Sequence, residues 1–332
     1  MARRSSLIAT TLAAVALVSP ATAVAQDPPP PPPPAPVASP PAGGTLTLTA
    51  ERVGGADRAV FAGDPWRVRG HVAPYVPGQR VVVRLLRGRQ KLMVREVAVR
   101  RSGDGTSGTF LVGLHSGRPG RVTVLAVHRQ TPGQATLRSA AVRVSVLAAH
   151  VDPGARGAAV RVLQRGLGAL GYVVGRRGTF DARTARAVLA FRKVTGMART
   201  QVADAEVFHR LARGNGRFRV RHPEHGKHVE ADLSRQVLAL IDGDRVERIY
   251  PTSSGAAVTR TVLGSFRVYL KSPGINQKGM YYSSYFIRGY AIHGYVAVPA
   301  YPASHGCLRV PLPDAIAIFR WLSVGDVVDV YL

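Results

Sequence analysis

Three hydrophobic periods follow one another along this chain. From Thr45 to about Ala149, apolar and polar residues alternate in short β-branched runs (TLTLTAERV, RVVVRLLRG, MVREVAVR, TFLVGL, RVTVLAVH and AVRVSVLAA) bounded by Gly, Pro and Asp. A period of two with turn residues at this spacing predicts six or seven strands of a small β-sandwich over residues 45–149. From Pro153 to Gly214 the period lengthens. Val160, Leu163, Leu167 and Leu170 recur at three- and four-residue steps, and Gly171 ends the run. Asp181 opens a second helix with Ala185, Val188, Leu189 and Phe191 as its apolar positions, and a third runs from about Asp204 to Arg213. Residues 150–214 therefore read as a small three-helix domain. From Arg217 strands return in KHVEADL, RQVLALIDG, RVERIYPTSSG, GSFRVYLK and SYFIRGYAIHGY. One helix, LPDAIAIFRWLSVG, precedes a last strand, DVVDVYL, with Asp314 at the helix start and Gly325 past its end, as capping rules expect. Residues 217–332 form a third, mainly-β domain with one C-terminal helix, and the fold class is multidomain.

The first 44 residues belong to none of these. Arg3 and Arg4, an apolar run from Leu7 to Val18 and the small residues ending in Ala-Val-Ala have the order of a signal peptide over residues 1–25, with cleavage expected after Ala23 or Ala25. The apolar run is about 12 residues, against roughly 20 needed to span a bilayer, so no integral membrane segment is expected after cleavage. Residues 26–44 are a Pro-rich linker whose composition predicts an extended polyproline spacer.

Charge narrows the partners. The net charge is +26, and residues 45–149 alone hold 17 Lys and Arg against 5 Asp and Glu. Export makes nucleic acid an unexpected partner, and anionic polymers of the envelope fit the charge better; a GC-rich genome, which favours arginine codons, would give the same composition.

Two of the three segments resemble known modules. AGDPWRVRGHVAPYVPGQRVVVRL is laid out like bacterial immunoglobulin-like modules, whose plainest role is that of a spacer. GxxVxxLQxxLxxLGY followed by GTFDxxTxxAVxxF resembles the peptidoglycan-binding domain found beside wall hydrolases, through Leu163, Gln164, Leu170, Gly171, Tyr172, Phe180, Thr184, Ala187, Val188 and Phe191. Arg192 departs from it, standing where that family usually has glutamine.

The chemistry centres on AIHGYVAVPAYPASHGCLRV, which holds Cys307, the single cysteine of the chain. It has no partner for an internal disulfide, and an odd cysteine in an exported chain reads as a working thiol. His305 and Arg309 flank Cys307 within two residues, and cations there would favour the thiolate. Gly306 would let a substrate carbonyl approach the backbone N–H groups of His305, Gly306 and Cys307, an oxyanion-hole arrangement. His293, near the end of the YAIHG strand, is the candidate base, as Cys with His is an activated-nucleophile pair.

The pattern H-G, nine residues, S-H-G-C-L-R resembles the signature of L,D-transpeptidases of the YkuD type, with supporting matches in DLSRQVLALIDGDRVERIYPTSSG and TVLGSFRVY, over about Lys227 to Leu332. The spacer before Ser304 is short, and Val262 replaces the usual proline. The resemblance implies Cys307 as nucleophile and His293 as proton donor and acceptor. It also implies support from Ser304, His305, Gly306 and Arg309, and a Gly294 carbonyl that fixes the His293 tautomer. The implied substrate is peptidoglycan, with stem peptides as donor and acceptor. The enzyme would attack the third residue of a tetrapeptide stem, expel the terminal D-alanine and pass the acyl group to a neighbouring amine. Carbapenems would acylate the same cysteine. Tyr281, Tyr282 and Tyr285 are candidates for the substrate groove or, equally, for strand packing. No cofactor is implied. HPEHGKH, His222 to His228, lacks a helical zinc arrangement and reads as a solvated linker rather than a metal site. Two alternatives stay open: an L,D-carboxypeptidase using water as acceptor, and a catalytically silent wall-binding scaffold.

Overall fold

The computed structural model describes residues 41–51 and 58–332. The expected signal peptide and the linker up to Pro40 lie outside the described residues. At the linker's end, Ala42 already accepts the Ala135 N–H at 2.9 Å.

Residues 45–147 supply β1 (Thr45–Glu51), β2 (Ala59–Phe61), β3 (Trp66–Ala73), β4 (Arg80–Arg87), β5 (Gln90–Ala98), β6 (Arg100–Arg101), β7 (Gly108–Leu114), β8 (Gly120–His128), β9 (Leu137–Arg138) and β10 (Val142–Leu147). One sheet runs β1-β3-β7-β6 and the other β2-β10-β8-β4-β5, with β9 on β8. Alternate residues of both sheets meet in one core, among them Trp66, Val68, Val72 and Phe110 from the first and Val81, Val83, Val122 and Val144 from the second. The strands that alternation does not reveal, β2, β6 and β9, are two or three residues long, too short to show a period.

Three helices follow: α1 (Ala158–Ala169), α2 (Ala182–Val194) and α3 (Ala205–Ala212). Asp181 and Asp204 cap α2 and α3 by accepting the N–H groups of Thr184 and Val207, each worth about 1 kcal/mol. Gln164 is buried and braces a turn: its amide donates to the Arg176 and Thr179 carbonyls and its oxygen accepts from Gly178 N–H. Arg192, where glutamine was the expectation, is also buried; it pairs with Asp204 at 2.9 Å and donates to the Ala198 carbonyl, tying α2 to the start of α3.

The last segment contains β11 (Lys227–Asp232), β12 (Val237–Asp242), β13 (Arg245–Pro251), β14 (Gly264–Arg267), β15 (Leu270–Ile275), β16 (Tyr281–Ile287), β17 (Tyr290–Tyr295), β18 (Leu308–Pro311), α4 (Leu312–Trp321) and β19 (Val327–Tyr331). A sheet β13-β12-β11-β19-β14 and a sheet β15-β16-β17-β18 enclose a second core with α4. SYFIRGYAIHGY, which reads as one run, is a hairpin that turns at Arg288 and Gly289. The β12 run VLALI is apolar throughout because both of its faces are covered. Leu238 and Leu240 face the sheet–sheet core, whereas Val237, Ala239 and Ile241 pack with Leu163, Leu167, Val188 and Phe191 of the helices. The helices thus share their core with the sheet instead of closing one of their own.

Two expected caps of α4 are corrected. Pro311 holds the cap position, and Asp314, in the first turn, pairs with Arg183 and Arg186 of α2 at 3.1 and 3.2 Å. Gly325, at φ 96°, belongs to the turn into β19. Among the described residues no helix is long and apolar enough to cross a membrane.

Candidate active site

Parallel pairing of β17 with β18 sets Ile292 beside Leu308 and His293 beside Arg309, so the thiol loop enters the sheet next to the histidine strand. Cys307 and His293 both line a cavity of about 690 Å³, together with Tyr285, Tyr295, Ser304, His305, Arg309 and the loop residues Asn276, Gln277 and Lys278. His293 is buried, and its Nδ1 donates to the Gly294 carbonyl at 2.9 Å, which leaves Nε2 as the basic nitrogen. Gly294 has no room for a side chain: a Cβ would lie 2.7 Å from that of Ala315 on α4. Burial, with a smaller contribution from Arg309, pushes the imidazole below its ordinary pKa, so it is neutral at pH 7.

Cys307 is half-buried, and its S–H donates to the Gly289 carbonyl at 3.7 Å. The expected lowering of its pKa is corrected. Burial pushes the thiol up, and the Ala291 N–H, Arg309 and Lys278 offset this only in part. At neutral pH the site therefore holds a thiol and a neutral imidazole rather than a preformed ion pair, and the thiol must give up its proton as it attacks. Arg309 acts less directly than flanking cations would, as its guanidinium lies over the Tyr295 ring at 4.2 Å, and that ring meets His293 edge-on at 5.7 Å.

The Ser-His-Gly-Cys turn is held from within. Ser304 Oγ donates to the Cys307 carbonyl at 2.6 Å and accepts from Gly306 N–H at 3.0 Å. Gly306 N–H is thus engaged and drops out of the expected oxyanion donors. Gly306 is glycine for another reason: its φ is +115°, and a Cβ would collide with the Tyr290 ring. From outside, Ser254 O accepts from Ala303 and Ser304 N–H, Thr259 Oγ1 donates to the Ser304 carbonyl, and Thr261 Oγ1 donates to the Gly306 carbonyl. His305 is exposed at the mouth of the cavity.

The three tyrosines separate. Tyr285 lines the cavity; Tyr281 packs against the catalytic core and Tyr282 meets Phe319 of α4 at 5.1 Å, so neither of these two lines it. Tyr295, Lys278 and Asn276 were missed by sequence reasoning. Of these only Tyr295, two residues from His293, carried a signal that alternation along β17 could have used.

The HPEHGKH segment is not a solvated linker. His228 is fully buried and Glu230 beside it accepts from the His228 ring, Tyr331 Oη and the N–H groups of Arg221 and His222. His222, His225 and Asp329 approach one another, the only group of this kind among the described residues. The His222 and His225 rings stack at 5.1 Å, and His225 Nδ1 and Asp329 Oδ2 engage each other at 2.9 Å. One ligand atom from each of the three lies within 4.8 Å of the others, in a cluster that is also hydrogen-bonded.

Comparison with known proteins gives two family matches: the YkuD L,D-transpeptidase catalytic domain over residues 226–330, and a peptidoglycan binding domain over residues 156–211. Among solved structures, the chain is similar to an L,D-transpeptidase from Xylanimonas cellulosilytica at 33% identity and TM-score 0.51, over 56% of this chain and 98% of that one. An L,D-transpeptidase from Stackebrandtia nassauensis matches at 22% identity and TM-score 0.36, over 55% and 95%. L,D-transpeptidase 3 of Mycobacterium tuberculosis matches at 18% and 0.29, over 32% and 61%. No curated protein matches the chain. A third of the residues identical across nearly the whole Xylanimonas chain, together with the matched catalytic domain, places this protein in the L,D-transpeptidase family.

Proposed function

We propose that this protein is a peptidoglycan L,D-transpeptidase acting through a cysteine acyl-enzyme. The observation that carries the reading is a buried, neutral His293, with Nδ1 occupied by Gly294, in the same cavity as the half-buried Cys307. His293 takes the thiol proton as sulfur attacks the carbonyl of the third stem residue; a C–S bond forms, and the oxyanion meets the N–H groups of His305 and Cys307. The C–N bond to the terminal D-alanine then breaks, with His293 returning the proton to the departing amine. An amine of a second stem attacks the thioester, gives its proton to His293 and releases the thiol.

Around this core, residues 217–332 act as the catalytic domain, 150–214 as the peptidoglycan-binding-like domain and 45–149 as an Ig-like spacer. The chain works outside the cytoplasm at the cell wall after removal of its leader, and its basic charge suits anionic wall polymers. The test is incubation of the mature protein with disaccharide tetrapeptide, followed by mass spectrometry. A cross-linked dimer supports transpeptidation; a tripeptide would make it an L,D-carboxypeptidase, and unchanged substrate would leave the wall-binding scaffold.

A further inference from the structure

The helices and the thiol loop are joined by a relay of hydrogen bonds that the reaction above does not use. Lys193, close to the C-terminal end of α2, donates from Nζ to the carbonyls of Gln236 at 2.9 Å and Thr252 at 3.1 Å. Its side chain is buried, and no carboxylate pairs with it among the described residues. Burial, with Arg199 nearby, pushes its pKa down to about 7, yet ammonium and amine alike have the N–H groups to reach both carbonyls; a methionine would fill the same space without the desolvation cost. What Nζ adds is a grip on two carbonyls of the catalytic segment.

Both carbonyls belong to residues that hold the thiol loop. Gln236 sits at φ 59°, and its side chain clasps Ser254: the amide donates to Ser254 Oγ at 2.7 Å and the oxygen accepts Ser254 N–H at 2.9 Å. Ser254 O in turn accepts from Ala303 and Ser304 N–H at 2.8 and 2.9 Å. Thr252 Oγ1 donates to the Arg309 carbonyl at 2.7 Å, and Ser253 exchanges N–H···O bonds with Arg309 at 3.1 and 3.0 Å. Each end of the stretch Ser304–Arg309 is thus one residue's hydrogen bonds away from an acceptor of Lys193. Arg199, on the loop after α2, adds a second hold by donating to the carbonyls of Ala300 and Ser234 at 2.7 and 2.9 Å.

We propose that Lys193 is a positioning residue for the nucleophile: α2, acting through Lys193 and the Thr252–Ser254 segment that follows β13, holds the Cys307 loop in its reactive shape. The helical segment is then a working part of the catalytic apparatus and more than a wall-binding appendage. This rests on the reading of Cys307 as nucleophile.

The experiment compares Lys193→Met, Thr252→Val and the double variant in the full mature chain. Thr252→Val removes the hydroxyl that reaches Arg309 and keeps the carbonyl that Lys193 uses. Arg183→Met, which removes one of the two arginines paired with Asp314 away from the loop, controls for weakened docking alone. Three readouts are taken: kcat and KM on disaccharide tetrapeptide, the rate of Cys307 alkylation by iodoacetamide, and Tm. Each of the two relay variants is expected to lower kcat by about ten- to a hundred-fold with KM within twofold, as misplacement of reacting groups does. Alkylation should rise as the relaxed loop exposes the thiol. The double variant should be no worse than the poorer single one, because both act on one chain of contacts. Arg183→Met should lower Tm and leave kcat and alkylation unchanged.

The proposal is overturned if Lys193→Met behaves like Arg183→Met, or if the kcat losses of the two relay variants multiply. Should Lys193→Met fail to fold, Lys193→Leu, which likewise lacks a donor, takes its place in the cycle. If the wild type is alkylated but leaves tetrapeptide untouched, the functional reading fails, while the alkylation comparison still decides the role of Lys193.

Discussion

Two histidine sites of the catalytic segment differ in what surrounds the ring. His293 has a carbonyl on Nδ1, a tyrosine edge beside it and a cavity in front of it. His228, equally buried, has the Gly226 carbonyl on Nδ1 and the Glu230 carboxylate at 3.3 Å from Nε2. Burial alone would push both rings toward neutrality. For His293 burial wins and the pKa falls; for His228 burial is outweighed by Glu230 and Gly226, and the pKa rises. A buried histidine without a carboxylate remains a base at neutral pH, and one with a carboxylate becomes half of an ion pair. The first can exchange protons with a substrate. The second ties β11 to the C-terminal strand through Glu230 and Tyr331.

This contrast can be broken experimentally. The largest effect is expected from Cys307→Ala, which removes the acylated atom: no covalent adduct with a carbapenem should appear by intact-mass spectrometry, and an adduct elsewhere would move the nucleophile. His293→Ala comes next. Acylation should slow by roughly 10²–10⁴, the usual contribution of a general base, with partial recovery at high pH where solvent generates thiolate. In the wild type, the acid limb of kcat/KM should fall below the ordinary histidine pKa and the alkaline limb above the ordinary thiol pKa, following the two shifts.

Glu230→Gln tests the structural histidine. Leaving His228 buried without its carboxylate should cost about 3–5 kcal/mol in denaturant unfolding while the thiol chemistry persists in the folded fraction. The pH sign follows from the raised pKa of His228 in the fold. Its contribution is complete below the unfolded value near 6.5 and is lost as pH rises through the higher folded value. The stability gap between wild type and Glu230→Gln should therefore narrow with rising pH across that window; a constant gap would remove His228 from the account. The smallest effect belongs to His305→Ala. The ring is exposed, so a loss of only a few-fold in kcat is expected, and a His305→Ala protein that is inactive and rescued by high pH would transfer the role of base from His293.

The fold was legible where local pattern and burial agree. Alternation exposed the long strands of residues 45–149, and Asp181 and Asp204 marked the starts of α2 and α3 because a side-chain cap is a local interaction. The same rule failed at α4, since Asp314 and Gly325 are capping types whose places were decided by Arg183, Arg186 and the turn into β19. In the site, Cys307, His293, Ser304 and Gly306 were visible as a motif. Sorting Tyr285 from Tyr281 and Tyr282 required knowing which face of a bulged strand meets α4, and the period of two is interrupted there by register shifts.

By itself the sequence determined the order of the segments, the residue types at the thiol loop and the neighbourhood of His293. These follow from covalent spacing and from hydrophobic period, which act within a few residues. Only the tertiary structure decided that Gly306 makes way for Tyr290, that its N–H is taken by Ser304, that the thiol's pKa rises, and that Lys193 reaches from a helix to the segment behind the loop. Each of these depends on which groups from distant parts of the chain exclude water together, and desolvation is a property of the packed fold that no stretch of sequence carries alone.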